Sequence, residues 1–370
     1  MEVTYCQSAG EELRETLGSM EKAESVDGIC LLATADEALE SDAFEASLHE
    51  LSVPVFGGIF PEIIHDGTNT DDGALVVGLS VEPLVTTVDE LSDPATEFRD
   101  ALDPTLPADG YETAFVFVDG HSTRIEAFIE ALFRTYSVEL SVIGGGTGTL
   151  DDRRRPSLIT NDGLVGDAAI IAAVRSPTSV GVTHGWTEID GPVRVTESEG
   201  STLISLDGSP AFERYKQIVE RHTDRTVTPE TFFEIAKSYP FGITRMSGEQ
   251  LVRDPYAVGD DGSLACFGPV PEGEFMSVLT GDTDSLVEAA EAAYNEATSD
   301  PLDADGLLFS TASHGCCIWN RASTGSWRQS ATTSDRLSAR SPSARSPTTA
   351  RAIWTTTTKP PLSARSKTYD

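Results

Sequence analysis

The chain has 370 residues, is 39% hydrophobic, and carries 60 Asp+Glu against 26 Lys+Arg for a formal net charge of −34. That charge excludes nucleic acid and anionic membrane surfaces as partners, because phosphate contacts need Lys and Arg, and no apolar run approaches the ~20 residues of a membrane span. Five cysteines at irregular spacing (Cys6, Cys30, Cys266, Cys316, Cys317) make no disulfide framework, and Met1 to Gly10 lacks the basic and apolar regions of a secretory signal, so a cytoplasmic protein of about two domains is expected.

The charge is unevenly spread. Residues 1–320 hold 17 Lys+Arg and 58 Asp+Glu, a net of −41, with lysine only at Lys22, Lys216 and Lys237; residues 321–370 hold 9 and 2, a net of +7. An acidic, lysine-poor surface is what a salt-accumulating halophile uses to stay soluble in concentrated KCl, and that reading is expected here over an ordinary acidic protein.

An internal repeat spans residues 8–175. Glu12-Leu-Arg-Glu-Thr-Leu17 and Glu97-Phe-Arg-Asp-Ala-Leu102 each open a helical pattern. Buried strands follow at Asp27-Gly-Ile-Cys-Leu-Leu-Ala33 and Thr113-Ala-Phe-Val-Phe-Val118. A second helix comes next, clearest in the stripe Ile125, Phe128, Ile129, Leu132, Phe133, Tyr136. Each copy then has a short strand ending in glycines, Val53-Pro-Val-Phe-Gly-Gly58 and Leu140-Ser-Val-Ile-Gly-Gly-Gly146, and a last strand, Ala74-Leu-Val-Val77 or Ala168-Ala-Ile-Ile171. Alternating helices and strands predict an α/β fold of layered mixed sheets, duplicated in the N-terminal half (residues 1–178) and followed by an α+β region (179–315).

In that second region strands are expected at Val180 to Trp186, Val193 to Glu197 and Ser201 to Asp207. A helix starts at Pro210 with Ala211, Phe212, Tyr215, Ile218 and Val219 inward. Thr228 caps a further helix at Pro229. Strands follow near 262–267 and 274–279, then a helix from Thr283 or Asp284 with Leu286, Val287, Ala290, Ala293 and Tyr294 inward, and a closing strand, Gly306 to Ser310. Residues 316–370 read as another language: Ser338-Ala-Arg-Ser-Pro-Ser-Ala-Arg-Ser-Pro-Thr-Thr-Ala-Arg351 has no apolar period. A disordered basic tail is one account. An out-of-frame translation beginning between Gly315 and Arg328 is the better one, since a one-base slip turns paired Asp codons into paired Thr codons.

The chain resembles FIST domain proteins, with FIST N-terminal and C-terminal regions over residues 8–315. The resemblance rests on Val55-Phe-Gly-Gly58, Gly144-Gly-Gly146, Val182-Thr-His-Gly-Trp186, Val195-Thr-Glu-Ser-Glu-Gly200, Leu206-Asp-Gly-Ser-Pro-Ala211 with Tyr215, Asp261-Gly-Ser-Leu264, Val270-Pro-Glu-Gly273 and Leu308-Phe-Ser-Thr-Ala-Ser313. It implies a sensory input module for a small ligand such as an amino acid, signalling through a separate output protein. Some family members bind haem and respond to nitric oxide. The family's closing Gly-Glu motif is missing here.

Four places are candidate ligand contacts. Asp119, His121 and Ser122 lie between a strand and a helix, where α/β folds place ligands against helix N–H groups; Ser122 or Thr123 can instead cap the helix. Gly145, Gly146 and Thr147 sit in a glycine run that suits an anion or a tight turn, without the Lys of a phosphate loop. Ser310 and Ser313 form a similar loop in the C-terminal region. His184, before Gly185-Trp186, is the remaining candidate and the axial donor if haem is bound. No catalytic residue, metal site or required cofactor is expected; an enzyme acting on a small metabolite at the same loops is the competing class.

Overall fold

The computed structural model describes residues 1–65, 68–102, 110–136, 140–149, 154–244, 250–266, 268–281, 283–299, 304–311, 315–320 and 350–357. These form two compact units, one holding Met1–Thr183 with Glu291 to Asn320 and Ala350 to Thr357, the other His184–Ala290.

The larger unit opens with the repeat. Its first copy is β1 (Glu2–Cys6), α1 (Glu11–Met20), β2 (Gly28–Thr34), a 3-10 turn (Glu37–Glu40), α2 (Asp42–His49), β3 (Val55–Phe60), the hairpin β4 (Ile63–His65) and β5 (Thr68–Thr70), and β6 (Ala74–Leu79). Its second is β7 (Leu84–Val88), α3 (Phe98–Leu102), β8 (Thr113–Asp119), α4 (Ile125–Tyr136), β9 (Ser141–Thr147), the hairpin β10 (Leu158–Thr160) and β11 (Gly163–Val165), and β12 (Ala169–Val174). The sheets run β1-β6-β2-β3 and β7-β12-β8-β9 in matching order, with β2–β3 and β8–β9 parallel and the rest antiparallel.

Why these strands read as unbroken apolar runs is visible in the packing: both faces are covered. In β2, Ile29, Leu31 and Ala33 pack with Leu13, Leu17, Phe44 and Leu48 of α1 and α2. Cys30 and Leu32 point the other way, into a core shared with Phe56, Phe115, Phe117, Ile143 and Ile170. The outer face of the second sheet packs on α3 and α4 through Phe98, Leu102, Phe128 and Leu132. Phe133, expected on the inner stripe, is 51% exposed; the covering line runs through Phe128 and Leu132, and Phe133 lies past its rim.

After β13 (Thr178–Gly181) the chain enters the smaller unit: β14 (Thr187–Glu199), β15 (Thr202–Leu206), β16 (Ser209–Pro210), α5 (Ala211–Val219), α6 (Phe232–Ala236), β17 (Phe241–Thr244), β18 (Gln250–Arg253), β19 (Pro255–Val258), β20 (Leu264–Cys266) and β21 (Phe275–Thr280). One antiparallel sheet, ordered β18-β17-β21-β14-β15-β20-β19, packs on α5 and α6. All five α5 residues expected inward are buried, and the Tyr215 hydroxyl donates to Tyr239 O at 2.8 Å. The helix expected at Pro229 starts at Phe232, because Thr228 Oγ1 accepts from Thr231 N (3.3 Å) and holds a turn there first.

The chain then forms α7 (Thr283–Ala297), β22 (Ala304–Thr311), β23 (Gly315–Asn320) and β24 (Ala350–Thr357), giving a third sheet, β13-β24-β22-β23-β4-β5. Two strands thus fall in the stretch 315–370; its remaining residues lie outside those described. The strand expected over Val180 to Trp186 ends at Gly181, beyond which Val182 N donates to Glu296 Oε2 (3.2 Å). Gly181 lies flush on α7: a Cβ there would sit 1.9 Å from Ala293 O. Of the α7 residues expected inward, Ala293 is buried, Val287, Ala290 and Tyr294 are half-buried, and the Leu286 side chain lies outside those described; Ala289 and Ala297 are buried with Ala293.

Two glycines occupy matching places on the parallel pairs. A Cβ on Gly57 would lie 1.8 Å from Leu31 O, and one on Gly144 1.7 Å from Val116 O; around Gly145 nothing comes within 4 Å. Gly57→Ala and Gly144→Ala are therefore expected to cost about 3 kcal/mol or more each, and Gly145→Ala within about 0.5 kcal/mol of zero. Denaturant unfolding in high KCl checks this; equal costs at the three positions would refute the packing account.

Candidate functional site

Each parallel strand in the repeat delivers its carboxyl end to the same side of the larger unit, and a cleft lies there. It is lined by Ala35, Asp36 and Glu40 after β2, Ile59 of β3, His121 after β8, Gly148 and Thr149 after β9, and Arg155, Pro156 and Ser157 leading into β10. Its cavity volume is about 20 Å³, room for roughly one water. Arg155 Nη1 donates to Glu40 Oε1 at 3.0 Å, the two side chains being 35% and 51% exposed. Asp36 caps the 3-10 turn, accepting from Ala38 N at 2.8 Å. The lining therefore includes a guanidinium, two carboxylates and an imidazole, with the guanidinium and the Glu40 carboxylate in direct contact.

His121 reaches this cleft through a loop held rigid by Asp119. The Asp119 carboxylate, 4% exposed at the end of β8, accepts from His121 N (3.0 Å) and Asp167 N (2.7 Å). Ser122 donates its hydroxyl to Asp167 Oδ1 (2.9 Å), and Thr123 N donates to Ser92 Oγ (3.1 Å). Neither Ser122 nor Thr123 caps α4 as expected. The backbone N–H groups of His121 and Thr123 go to Asp119 and Ser92, so they do not point at a ligand. Asp119 and Ser122 are positioning residues; His121 is the one of the three whose ring lines the cleft.

The glycine run has a different role from a turn. Gly144, Gly145 and Gly146 lie within β9, exposed, and Thr147 ends the strand buried, its Oγ1 paired with Ser157 Oγ at 2.7 Å. Thr147 O accepts from Gly120 N (2.9 Å), which ties the ends of β8 and β9 together beneath His121. Asp119, His121, Ser122 and Thr147 are thus brought into one neighbourhood. Ser310 is placed on β22, and Ser313 lies outside the described residues.

His184 belongs to the smaller unit. It follows Thr183 beside the buried Trp186, which packs with Val252 and Leu279. Its Nδ1 is buried with no hydrogen-bond partner among the described residues. Among the described residues no group of three or more His, Cys, Asp or Glu is placed to hold a metal ion.

Asp36, Glu40 and Arg155 are the lining residues that sequence reasoning missed. One signal was available for Asp36. It follows Thr34-Ala35 at the end of β2, the place His121 holds after Asp119-Gly120 at the end of β8. Arg155 is marked locally by Arg153-Arg154-Arg155, the one basic cluster before residue 321, which can receive an anion or pair with Asp151-Asp152 in its own loop; its partner here is Glu40, from across the repeat.

Comparison with known families matches the FIST N domain over residues 27–209 and the FIST C domain over 211–334. A protein of Methanocaldococcus jannaschii, itself described as uncharacterized, is 22% identical over 195 residues, covering 50% of this chain and 38% of its own length. The match therefore spans well under half of that relative.

If Asp119 is the brace of the His121 loop, Asp119→Ala leaves two backbone donors unpaired and is expected to lower stability by about 2–4 kcal/mol. Thermal and denaturant unfolding measure it, and wild-type stability in this variant would remove the bracing role.

Proposed function

Because the chain belongs to the FIST family, we propose that it is a cytoplasmic signal-transduction input module that binds a small zwitterionic ligand, an amino acid first of all, and hands the signal to a separate output protein. FIST domains are sensor-type signal-transduction domains. The observation that carries the ligand class is the mixed charge of the cleft. Arg155 suits a carboxylate through two parallel N–H bonds, and Asp36 and Glu40 suit an ammonium group. In the absence of ligand Arg155 and Glu40 satisfy each other, and an exposed pair of this kind is worth only about 0–1 kcal/mol; the closed cleft has room for about one water, so binding an amino acid requires this pair to part and the surrounding loops to move apart. The cleft's position at the carboxyl ends of parallel strands is where α/β folds bind small molecules.

A reducing compartment is supported by the free thiols Cys6, Cys30 and Cys266, all buried. Burial raises all three, Cys266 to about 12, which leaves them protonated and unreactive. No helix among the described residues is long and apolar enough to cross a membrane.

Isothermal titration in high KCl against the common amino acids tests the reading. We expect at least one to bind, and Arg155→Ala to weaken it about tenfold or more, the loss of a charge-assisted contact. Binding unchanged by Arg155→Ala would move the site elsewhere; no binder in the panel would refute the ligand class. A turnover assay on any binder separates a sensor from an enzyme.

A haem-bound gas sensor is the second reading, and the unpaired Nδ1 of His184 favours it. A buried imidazole nitrogen without a partner is a free donor for a metal. His184 would hold the group through its imidazole nitrogen, and haem when bound would supply an iron centre that takes a diatomic gas. Reconstituted protein is expected to show a Soret band that His184→Ala abolishes. A flat spectrum, or a band unaffected by that substitution, would eliminate this reading.

A further inference from the structure

The cleft of the larger unit supplies hydrogen-bonding groups unevenly. Four of its donors are satisfied within the protein: Ile59 N donates to Ser157 O (2.7 Å), Gly148 N to Ile59 O (2.7 Å), His121 N to Asp119 Oδ1 (3.0 Å) and Ser157 N to Val165 O (3.2 Å). Arg155 is the one guanidinium among the described lining residues, and Glu40 holds it. Acceptor capacity is left over at Asp36. Its carboxylate accepts from Ala38 N at 2.8 Å, and among the described residues no cation pairs with it. Capping uses one side-chain oxygen, which asparagine or serine also supplies, so the 3-10 turn does not require a charge there. His121 stands at the matching place after β8, so the repeat does not require a carboxylate there either.

An amino acid enters this lining by exchange. Its α-carboxylate takes the Arg155 guanidinium, and its α-ammonium takes the Glu40 carboxylate that Arg155 releases. Charge is then balanced at the pair, with Asp36 still uncompensated. A ligand held between these loops excludes water, and a carboxylate facing it unpaired is costly. We propose, on the amino-acid reading of this cleft, that the ligand is a basic amino acid of the lysine, ornithine or arginine class, and that Asp36 selects it by receiving the side-chain cation. One short turn, Glu37–Glu40 with Asp36 at its head, carries both carboxylates. Ala35, Ile59 and Pro156 line the cleft with apolar surface for the carbon stem. An acidic side chain would meet Asp36 with like charge, and an apolar one would leave it unpaired.

The net charge of −34 draws any cation to the molecule, and that pull differs from a contact in two ways. In ~1 M salt the field is screened beyond about 3 Å, whereas a direct ion pair persists. Asp36→Asn also separates them. Asparagine caps as well as aspartate, and removing one charge from that total leaves the overall field nearly as it was.

Isothermal titration of the full chain at two KCl concentrations of ~1 M and above tests this. It compares L-lysine with L-norleucine, which has the same carbon stem without the ammonium group, and with L-glutamate. Lysine is expected to bind about tenfold or more tighter than norleucine at both concentrations, the worth of one charge-assisted contact. Asp36→Asn is expected to bring the two affinities within about twofold. Thermal melting checks that this variant folds; if it does not, the lysine and norleucine comparison in the wild type decides. Three results would overturn the proposal while leaving the amino-acid reading intact: norleucine, glutamate or another non-basic amino acid binding as tightly as lysine, a preference that fades as KCl rises, or a preference that survives Asp36→Asn. If no amino acid binds, the amino-acid reading fails and basic selectivity fails with it.

Discussion

The seam where β10 of one repeat meets β3 of the other holds the larger unit together and makes its cleft. Three hydrogen bonds define it: Ile59 N to Ser157 O, Gly148 N to Ile59 O, both 2.7 Å, and Val55 N to Asn161 Oδ1, also 2.7 Å. The Asn161 amide also donates to Val53 O at 3.0 Å, so one side chain satisfies backbone groups of the first copy from the second copy's hairpin. Buried backbone groups must find partners, and here they find them only if the repeats exchange hairpins. The exchange also brings Arg155 beside Glu40, 115 positions away in the chain.

The seam depends in turn on glycine. A Cβ on Gly58 would lie 2.4 Å from Thr147 Cγ2 and 3.0 Å from Ser157 O, so the Thr147 side chain at the end of β9 packs directly over the Gly58 backbone of β3. Any larger residue separates the loops that follow those strands, and with them Ile59, Gly148 and His121. The close approach that shapes the cleft is the same one that leaves it small, with its polar groups turned toward each other.

A surface carrying −34 overall has few cations to spare. Against that background the cleft holds a guanidinium, Arg155, paired with Glu40 and with Asp36 also in the lining, while anions in solution are repelled from most of the molecule. A ligand with both charges pays less of that repulsion than a simple anion, which fits the zwitterion reading with the acidic surface.

How much was legible in advance differs between levels of structure. The duplication, the α/β class and the buried runs were readable because strands covered on both faces are apolar throughout, and because α5 presents Ala211, Phe212, Tyr215, Ile218 and Val219 with helical spacing. The placing of Asp119 and His121 at a strand end was equally plain. What the sequence could not reveal is where each hairpin goes. Leu158 to Val165 pairs locally with itself whichever sheet it joins, so nothing in its residues names β3 as its partner. Arg155 therefore reads as part of a basic cluster that receives an anion or pairs with Asp151-Asp152 in its own loop, and Gly144 to Gly146 as an anion cradle or a turn. Only tertiary structure decides these, because backbone pairing across an edge is the same for every sequence that can form a strand, and the choice among edges is made by the packing of whole sheets.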